Sequence, residues 1–389
     1  MDLLTFQTLL TPVGQGALAA AGALAPTEET FLPCLTQLQK QHPARLAKAA
    51  LETVILRRKA EGKFSRAAAM YFTRAGLEMA SGETISRHRA ARFAPFARVA
   101  DLCCGIGGDA IGLAQRATVT LVDHDPLHLG MAAANLAAYG LQANEKEIDL
   151  TTAPPPDSDA LWFDPARRVE AGGRVFTVRN YQPPLTLIHQ WRARTPAISA
   201  KLSPGVALAE LSDFDCEIEF ISHHGDLKEC VMWFGPLATA TRRATLLPGG
   251  HTLVAPSPPP PVVLSLPKAY LYEPDAAILR AGLVTTVAAQ LGATQIDADI
   301  AYLTGDTLQP SPFAKAFAIE AAMPFSEKRL REKLRAMNVG RITVKKRGSP
   351  LDPIVFTRAL RLTGDEERVV FLTHVQGRAW ALIGQAAQT

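Results

Sequence analysis

Cysteine is scarce in this chain. Five are present among 389 residues (Cys34, Cys103, Cys104, Cys216, Cys230), with no C-x-x-C pair and no metal-ligand spacing. That excludes a disulfide framework and the common cysteine-based metal sites, and it points to a reduced compartment. A basic n-region ahead of an apolar run is lacking at the N-terminus, and no stretch reaches the roughly 18 apolar residues of a membrane span. A cytoplasmic protein without a membrane partner and without a metal is therefore expected. Charge of one sign is also lacking. The net charge is only +4, which excludes attraction of the chain as a whole to a polyelectrolyte. No internal repeat appears, and no strand alternation precedes Val99.

The sequence does have size, with 48% hydrophobic residues over 389 positions, enough for two or three domains of roughly 100–200 residues. Residues 1–95 read as helical, with Ala-, Leu-, Lys- and Arg-rich periodicity over Leu38–Ala60 and a second helical stretch over Thr84–Ala94. Residues 96–237 alternate short apolar runs with helical segments, the pattern of a parallel, doubly wound sheet. The last two runs flank HHGDLK (223–228), a hairpin signal. Residues 238–267 end in APSPPPPVVLSLP and read as a Pro-rich linker, because proline removes donors and fixes φ. A connecting α/β segment follows over 268–319, with a helix expected at Pro274–Leu291. A small α/β unit fills 320–389, with Ser326 as N-cap of a basic helix. The basic residues are clustered: twelve Lys or Arg against four acids between Arg45 and Arg98, and nine against two between Glu327 and Arg347. Such clusters suit a phosphate backbone, or simply a solvated helix face.

The chemistry concentrates in VADLCCGIGGDAIGLA (99–114). An apolar run ends in Asp101, a Gly-rich turn follows, and a helical pattern begins at Asp109. This order places backbone N–H groups and a helix start at the carboxyl edge of a strand, where nucleotide ligands bind. Gly105, Gly107 and Ala110 fit a dinucleotide fingerprint loosely. Asp101 argues against a pyrophosphate, which its carboxylate would repel, and for a ligand carrying an ammonium. A second apolar run, TVTLV, ends in Asp123, placed to accept from ribose hydroxyls. Asp149 in EIDL stands where a third strand should end and could accept from an adenine amine. LWFDP puts Asp164 and Pro165 at the end of a fourth run.

These residues resemble the class I S-adenosylmethionine-dependent methyltransferases. D-x-C-x-G-x-G stands at the place of that family's first motif, with Cys103 in place of the more usual glycine. Asp123 and Asp149 match its second- and third-motif acids, and Asp164-Pro165 matches the start of D/N-P-P-Y/F/W. Within the class, DLCCGIGGDAIGLA is similar to the trimethylguanosine synthase group, which also carries a helical extension before its catalytic domain. FTRAGLEMAS, DPARR, the hairpin and the basic C-terminal unit together resemble bacterial methyltransferases with a THUMP-like C-terminal domain.

The resemblance implies a Rossmann-like sheet between an N-terminal helical region and a THUMP-like domain. It implies S-adenosylmethionine held by Asp101, Cys103, Gly105, Gly107, Asp109, Asp123 and Asp149. In the family pattern, the fourth-motif acid and the carbonyl after it, here Asp164 and Pro165, orient an exocyclic amine. The chain departs from that pattern at Ala166-Arg167, where an aromatic residue normally stacks on the base. Arg167 and Arg168 could stack on a base, grip a phosphate, bind a small acidic substrate or pair with Glu170. Phe72 and Tyr71 could cover the cofactor or stack on substrate, although helical spacing alone assigns them to a core. RNA is the expected partner and base N-methylation the favoured reaction. The alternatives are a small-molecule or protein methyltransferase, a non-catalytic RNA-binding relative, and an NAD-dependent enzyme, which Asp101 and the D-P pair disfavour.

Overall fold

The structure is a computed structural model and describes residues 1–167 and 177–387. The chain divides into two compact units, one formed by Met1–Glu217 with Glu229–Thr239, the other by Ile218–Lys228 with Ala240–Thr389.

The first unit begins with helices α1 (Leu3–Leu10), α2 (Pro12–Ala23), α3 (Phe31–Leu38), α4 (Ala44–Ala60), α5 (Arg74–Met79) and α6 (Glu83–Ala90). Their starts follow from local chemistry. Asp2 accepts from Thr5 N at the start of α1, and Thr11 caps α2 with Pro12 at its first position. Thr73 caps α5. Helix α4 buries Leu46, Leu51, Ile55 and Leu56 and ends in Arg57-Arg58-Lys59, cations that suit the negative end of the helix dipole.

The sheet follows, through β1 (Arg98–Leu102), α7 (Ala110–Leu113), β2 (Thr118–Asp123), α8 (Pro126–Ala138), β3 (Asn144–Glu147), β4 (Ala160–Phe163), the short pair β5 (Ala166–Arg167) and β6 (Tyr181–Gln182), α9 (Leu187–Trp191), β7 (Ile198–Leu202), β8 (Glu217–His223) and β9 (Asp226–Trp233). Strand β1 lies between β2 and β4, with β3 and β7 outside them, all parallel. Strand β9 then pairs antiparallel to β7, from Leu202–Cys230 to Ser199–Trp233. The central strands β1 and β4 are buried on both faces, as a covered parallel sheet requires. This is the expected Rossmann-like arrangement.

In the second unit, to which Ile218–His223 of β8 belong, β10 (Arg242–Leu247) runs parallel to that stretch and pairs antiparallel with β11 (His251–Val254). These strands correct the reading of 238–267 as a linker. Its later, proline-rich part, 255–267, holds no named helix or strand, because the prolines cluster there. The rest is β12 (Tyr270–Pro274), α10 (Ala276–Ala281), α11 (Val284–Leu291), β13 (Thr294–Gln295), β14 (Leu303–Gly305), β15 (Ala314–Pro324), α12 (Glu327–Ala336), β16 (Val339–Lys346), α13 (Pro353–Leu360), β17 (Glu366–Val375) and β18 (Arg378–Ala386). The single helix expected over Pro274–Leu291 is two, broken where Gly282 takes a left-handed φ of 72°. Ser326 does cap α12. The sheet order is β13-β14-β12-β15-β18-β17-β16. One cluster gathers Leu330 and Leu334 of α12 and Phe356 and Leu360 of α13 with Val370, Leu372 and Ile383. Tyr302 and Phe317 pack instead with Phe371 and Leu382. The alternation of Val370, Phe371 and Leu372 between the two clusters is the two-residue period of a strand.

Gly112 of α7 is set against α6. Its N–H donates to Ser86 Oγ (3.2 Å), and a Cβ there would lie 2.7 Å from the Ser86 carbonyl oxygen. Gly112→Ala should cost about 1–3 kcal/mol by overpacking. The urea midpoint of the first unit's transition measures this, and an unchanged midpoint would show that the two helices can separate freely.

Candidate active site

The end of β1 organises the site. Past Leu102 the chain turns with positive φ at Cys103 (61°), Gly105 (52°) and Gly107 (79°). A Cβ at Gly107 would sit 3.0 Å from both Cα and Cβ of Ala132, so glycine lets the turn lie directly on α8. A Cβ at Gly105 would meet nothing, so there the demand is conformational. Backbone bonds carry the ladder beyond the strands: Cys104 N to Val122 O, Asp164 N to Leu102 O, and Ile148 N to Asp123 O, each 3.0–3.1 Å. They bring the turn, Asp123 and Asp164 to one carboxyl edge.

A cavity of about 380 Å³ opens at that edge. Cys103, Gly105, Asp109, Asp123, Asp149 and Asp164 line it, so six of the residues singled out by sequence meet at one place. Asp123 accepts from Gly105 N and Asp125 N (both 3.0 Å), with His128 Nδ1 3.5 Å away. Burial works to raise the Asp123 carboxyl, but His128 and the two backbone donors outweigh it and hold it below its ordinary range. Asp149 is exposed and accepts from the Thr151 N–H and hydroxyl (2.8 and 2.6 Å). Burial pushes both Cys103 and Cys104 thiols well up, which suits turn residues rather than nucleophiles.

Asp101 lies beneath the turn, fully buried, and neither carboxylate oxygen has a hydrogen-bond partner among the described residues. Burial first, then the Asp109 and Asp164 carboxylates, push it well above the ordinary range, with Arg89 opposing. Asp109 is ion-paired with Arg89. Arg89 also reaches Glu229 (2.9 Å) and lies over the Trp162 ring at 4.3 Å.

The structure corrects one expectation and leaves others without a side-chain account. Phe72 is buried, packed at 6.0 Å against Phe64, and does not line the cavity, so its ring is a core residue. Tyr71 is likewise buried, edge-on to Phe6. Arg167 contributes backbone pairing to Tyr181, and Arg168 lies outside the described residues. Pro165, next to Asp164, is buried and is not among the residues that line the cavity.

Several site residues gave no separate signal in the sequence. Asn135 of α8 is fully buried, donating to Ile106 O and Tyr71 O and accepting from Tyr71 N (2.7–2.9 Å), so it ties the glycine turn to the N-terminal region. Ala75, Gly76, Met79 and Ala80 of that region line the cavity. Gly76 is required there because a Cβ would approach Ile106 Cγ2 to 2.6 Å. Lys201 at the end of β7 donates to Asp164 Oδ2 (2.7 Å).

A parallel sheet with a glycine turn after its first strand and acids at the ends of the next ones defines a class I S-adenosylmethionine-dependent methyltransferase. Family models agree: RNA cap guanine-N2 methyltransferase over residues 96–152, THUMP domain-like over 314–386, and a domain of unknown function over 2–60. Two curated Mycobacterium tuberculosis proteins, from strains CDC 1551 / Oshkosh and H37Rv, are each described as an uncharacterized S-adenosylmethionine-dependent methyltransferase. Each is 35% identical over 337 residues, covering 84% of this chain and 92% of the relative. A crystal structure from Porphyromonas gingivalis W83, with a provisional methyltransferase assignment, shares the fold at a TM-score of 0.74 and 21% identity, over 93% of this chain and all of that one. The chain belongs to this family of S-adenosylmethionine-dependent methyltransferases with a THUMP-like domain.

The donor is a cation, bearing a sulfonium and an ammonium. The residues present fit it: an unpartnered buried carboxylate at Asp101, an open turn at Gly105 and a carboxylate at Asp123. His128 gives a pH test. Asp123 holds the imidazole above its ordinary value of 6.5 although burial opposes this. The resulting stability is present below that value and lost as pH rises through the raised one. The stability deficit of His128→Phe should therefore shrink between about pH 6 and about pH 9. Urea midpoints across that range measure it, and a constant deficit would mean that His128 contributes by packing alone.

Proposed function

We propose that this enzyme methylates RNA at an exocyclic amine of a base. The observation that carries the reading is Asp164, at the end of β4, sharing one cavity with the glycine turn. An aspartate there accepts from an amine N–H, and the following Pro165 carbonyl can accept from the other. Two acceptors fixed on a strand end orient the nitrogen lone pair, and positioning of this kind is the main contribution an enzyme makes to an in-line transfer. S-adenosylmethionine supplies, when bound, a methyl group on a sulfonium. Asp101, Cys103, Gly105, Gly107, Asp109, Asp123 and Asp149 are the residues we assign to hold it.

The RNA part of the reading is supported by the two family descriptions, one naming guanine N2 and the other a THUMP-like domain. The charge of the second unit supports it as well. Lys328, Arg329, Lys333 and Arg335 of α12 are exposed, as are Lys346, Arg358 and Arg361. Phosphate neutralisation by such residues releases counterions and makes affinity fall with salt. At the place of the missing aromatic, Ala166 is exposed. Tyr181 and Trp191 do not replace it. Tyr181 is buried with its hydroxyl accepting from Ser203 N, and Trp191 packs edge-on to Phe163. We assign recognition of the base plane to Arg167 and Arg168, whose guanidinium planes can stack on a base.

The test is transfer of tritiated methyl from S-adenosylmethionine onto RNA, protein and small-molecule fractions of a strain lacking the enzyme. Label should enter RNA, and label confined to another fraction would overturn the substrate class. Asp164→Ala should lower transfer by at least about 10²-fold while calorimetry shows donor binding retained. Full activity in that variant would remove Asp164 from the reaction. Lys328→Ala with Lys333→Ala should weaken RNA binding and lower the salt slope by about one per lost phosphate contact. An unchanged slope would place RNA elsewhere.

A further inference from the structure

Asp164 does not act alone at the end of β4. Lys201, on the neighbouring parallel strand β7, donates from Nζ to Asp164 Oδ2 at 2.7 Å and to the Met79 carbonyl at 3.2 Å. Its side chain is only 15% exposed, and it does not line the cavity. It stands behind Asp164. No hydrogen bond reaches Asp164 Oδ1 among the described residues. The surroundings are crowded with charge. Asp164 is set among Asp109 at the start of α7, Arg89 of α6, Asp101 of β1, Glu229 of β9 and the Cys103 thiol of the turn, besides Lys201. Arg89 is already engaged by Asp109 and Glu229. Lys201 is thus the cation bonded to Asp164.

We propose that Lys201 is a positioning residue for methyl transfer: its ammonium holds Asp164 ionised, occupies one of its oxygens, and leaves the other to accept from the methyl acceptor. The proposal rests on the reading of Asp164 as the acceptor's partner and adds a specificity to it. One free carboxylate oxygen facing the cavity is an acceptor matched to an N–H of an amine. A protonated Asp164 would donate instead, and a donor pointed at the amine nitrogen would occupy the lone pair that must attack. The Met79 contact has a second consequence. The same ammonium that sets Asp164 also fixes the cavity wall contributed by the N-terminal helical region.

Burial leaves the Asp164 carboxyl above its ordinary value, and Lys201 is the largest influence opposing that rise. The Lys201 ammonium itself is pressed down by burial but held above its ordinary value by Asp164, Asp109 and Glu229, so it remains charged.

The experiment combines carboxyl-¹³C aspartate NMR with methyl transfer onto RNA of a strain lacking the enzyme, using full-length wild type, Lys201→Met and Lys201→Arg. The Asp164 resonance is assigned by its disappearance in Asp164→Asn. In Lys201→Met it should titrate about 1–3 pH units higher. Transfer near neutral pH should fall by about 10²-fold, with the loss shrinking as pH rises and Asp164 regains its charge. Donor affinity by calorimetry should stay within about threefold, since ground-state binding is separate from the lost orientation. Lys201→Arg should recover most of the rate and the titration. A merely structural lysine would give a loss equal at every pH, shared by donor affinity, and that result overturns the proposal. An unmoved Asp164 titration overturns the role of Lys201 alone. A shifted titration with unimpaired transfer overturns instead the reading of Asp164 on which the proposal rests.

Discussion

Arg89 and Lys201 face the carboxylates of Asp101, Asp109, Asp164 and Glu229 in the interior of the first unit, and the site depends on that imbalance. Charges so far from water are tolerated only when paired or when a proton neutralises one of them. Arg89 meets two carboxylates at once and lays its guanidinium over Trp162, a stacking that lysine could not reproduce. Lys201 meets one. Asp101 is left over, sealed under the glycine turn with both oxygens unpartnered. Stability is a weak reason for this arrangement, since apolar side chains of the same volume in place of a buried ion pair are often as stable or more so. Burial and the neighbouring carboxylates hold Asp101 toward its neutral form, and a cationic ligand in the cavity beside the glycine turn favours its ionisation, whereas a pyrophosphate opposes it.

The same cluster explains why the N-terminal helical region belongs to the catalytic unit. Arg89 comes from α6, Ser81 donates to Glu229 at 3.4 Å, and Met79 presents its carbonyl to Lys201. Asn135 adds a neutral tie, joining Tyr71 to Ile106 in the glycine turn. The region supplies a cation the sheet lacks and one wall of the cavity. Its basic composition therefore has an internal use at Arg89 as well as an external one. Arg92 repeats the device at the sheet end, pairing with buried Glu217 at 2.7 Å and lying over Trp233. Counting Lys and Arg along residues 45–98 could not separate inward from outward cations, because that depends on which helix face meets the sheet.

How far the sequence was legible follows the same division. Strands such as TVTLV and LWF could be read because parallel central strands are continuous apolar runs, and the acids at their ends stand out against them. The glycine turn could be read because positive φ and a close approach to α8 demand glycine at Gly107. Strand β15, AKAFAIEAAMP, was not legible as a strand: alanine dominates it, and alanine carries little strand preference. Strands β10 and β11 were hidden by the prolines that follow them. Phe72 shows the limit for aromatics, because one near a site looks the same in sequence whether it faces the cavity or a core ring such as Phe64.

Lys201 and Glu229 illustrate a deeper limit. Each sits at one end of an apolar run, in AISAKL and KECVMW, where a charge reads as the solvent-facing end of the strand. Only the register shows otherwise. β7 runs beside β4, which brings Lys201 to Asp164, and β9 returns antiparallel beside β7, which brings Glu229 to Arg89. The partners are 37 and 140 residues apart in the chain. No local spacing rule reaches that far. A charged residue inside an otherwise apolar strand of the sheet is nevertheless a usable signal: the covered sheet leaves it little water, so it must find a buried counter-charge, which for Lys201 is the acid at the neighbouring strand end and for Glu229 is Arg89 of the covering helix.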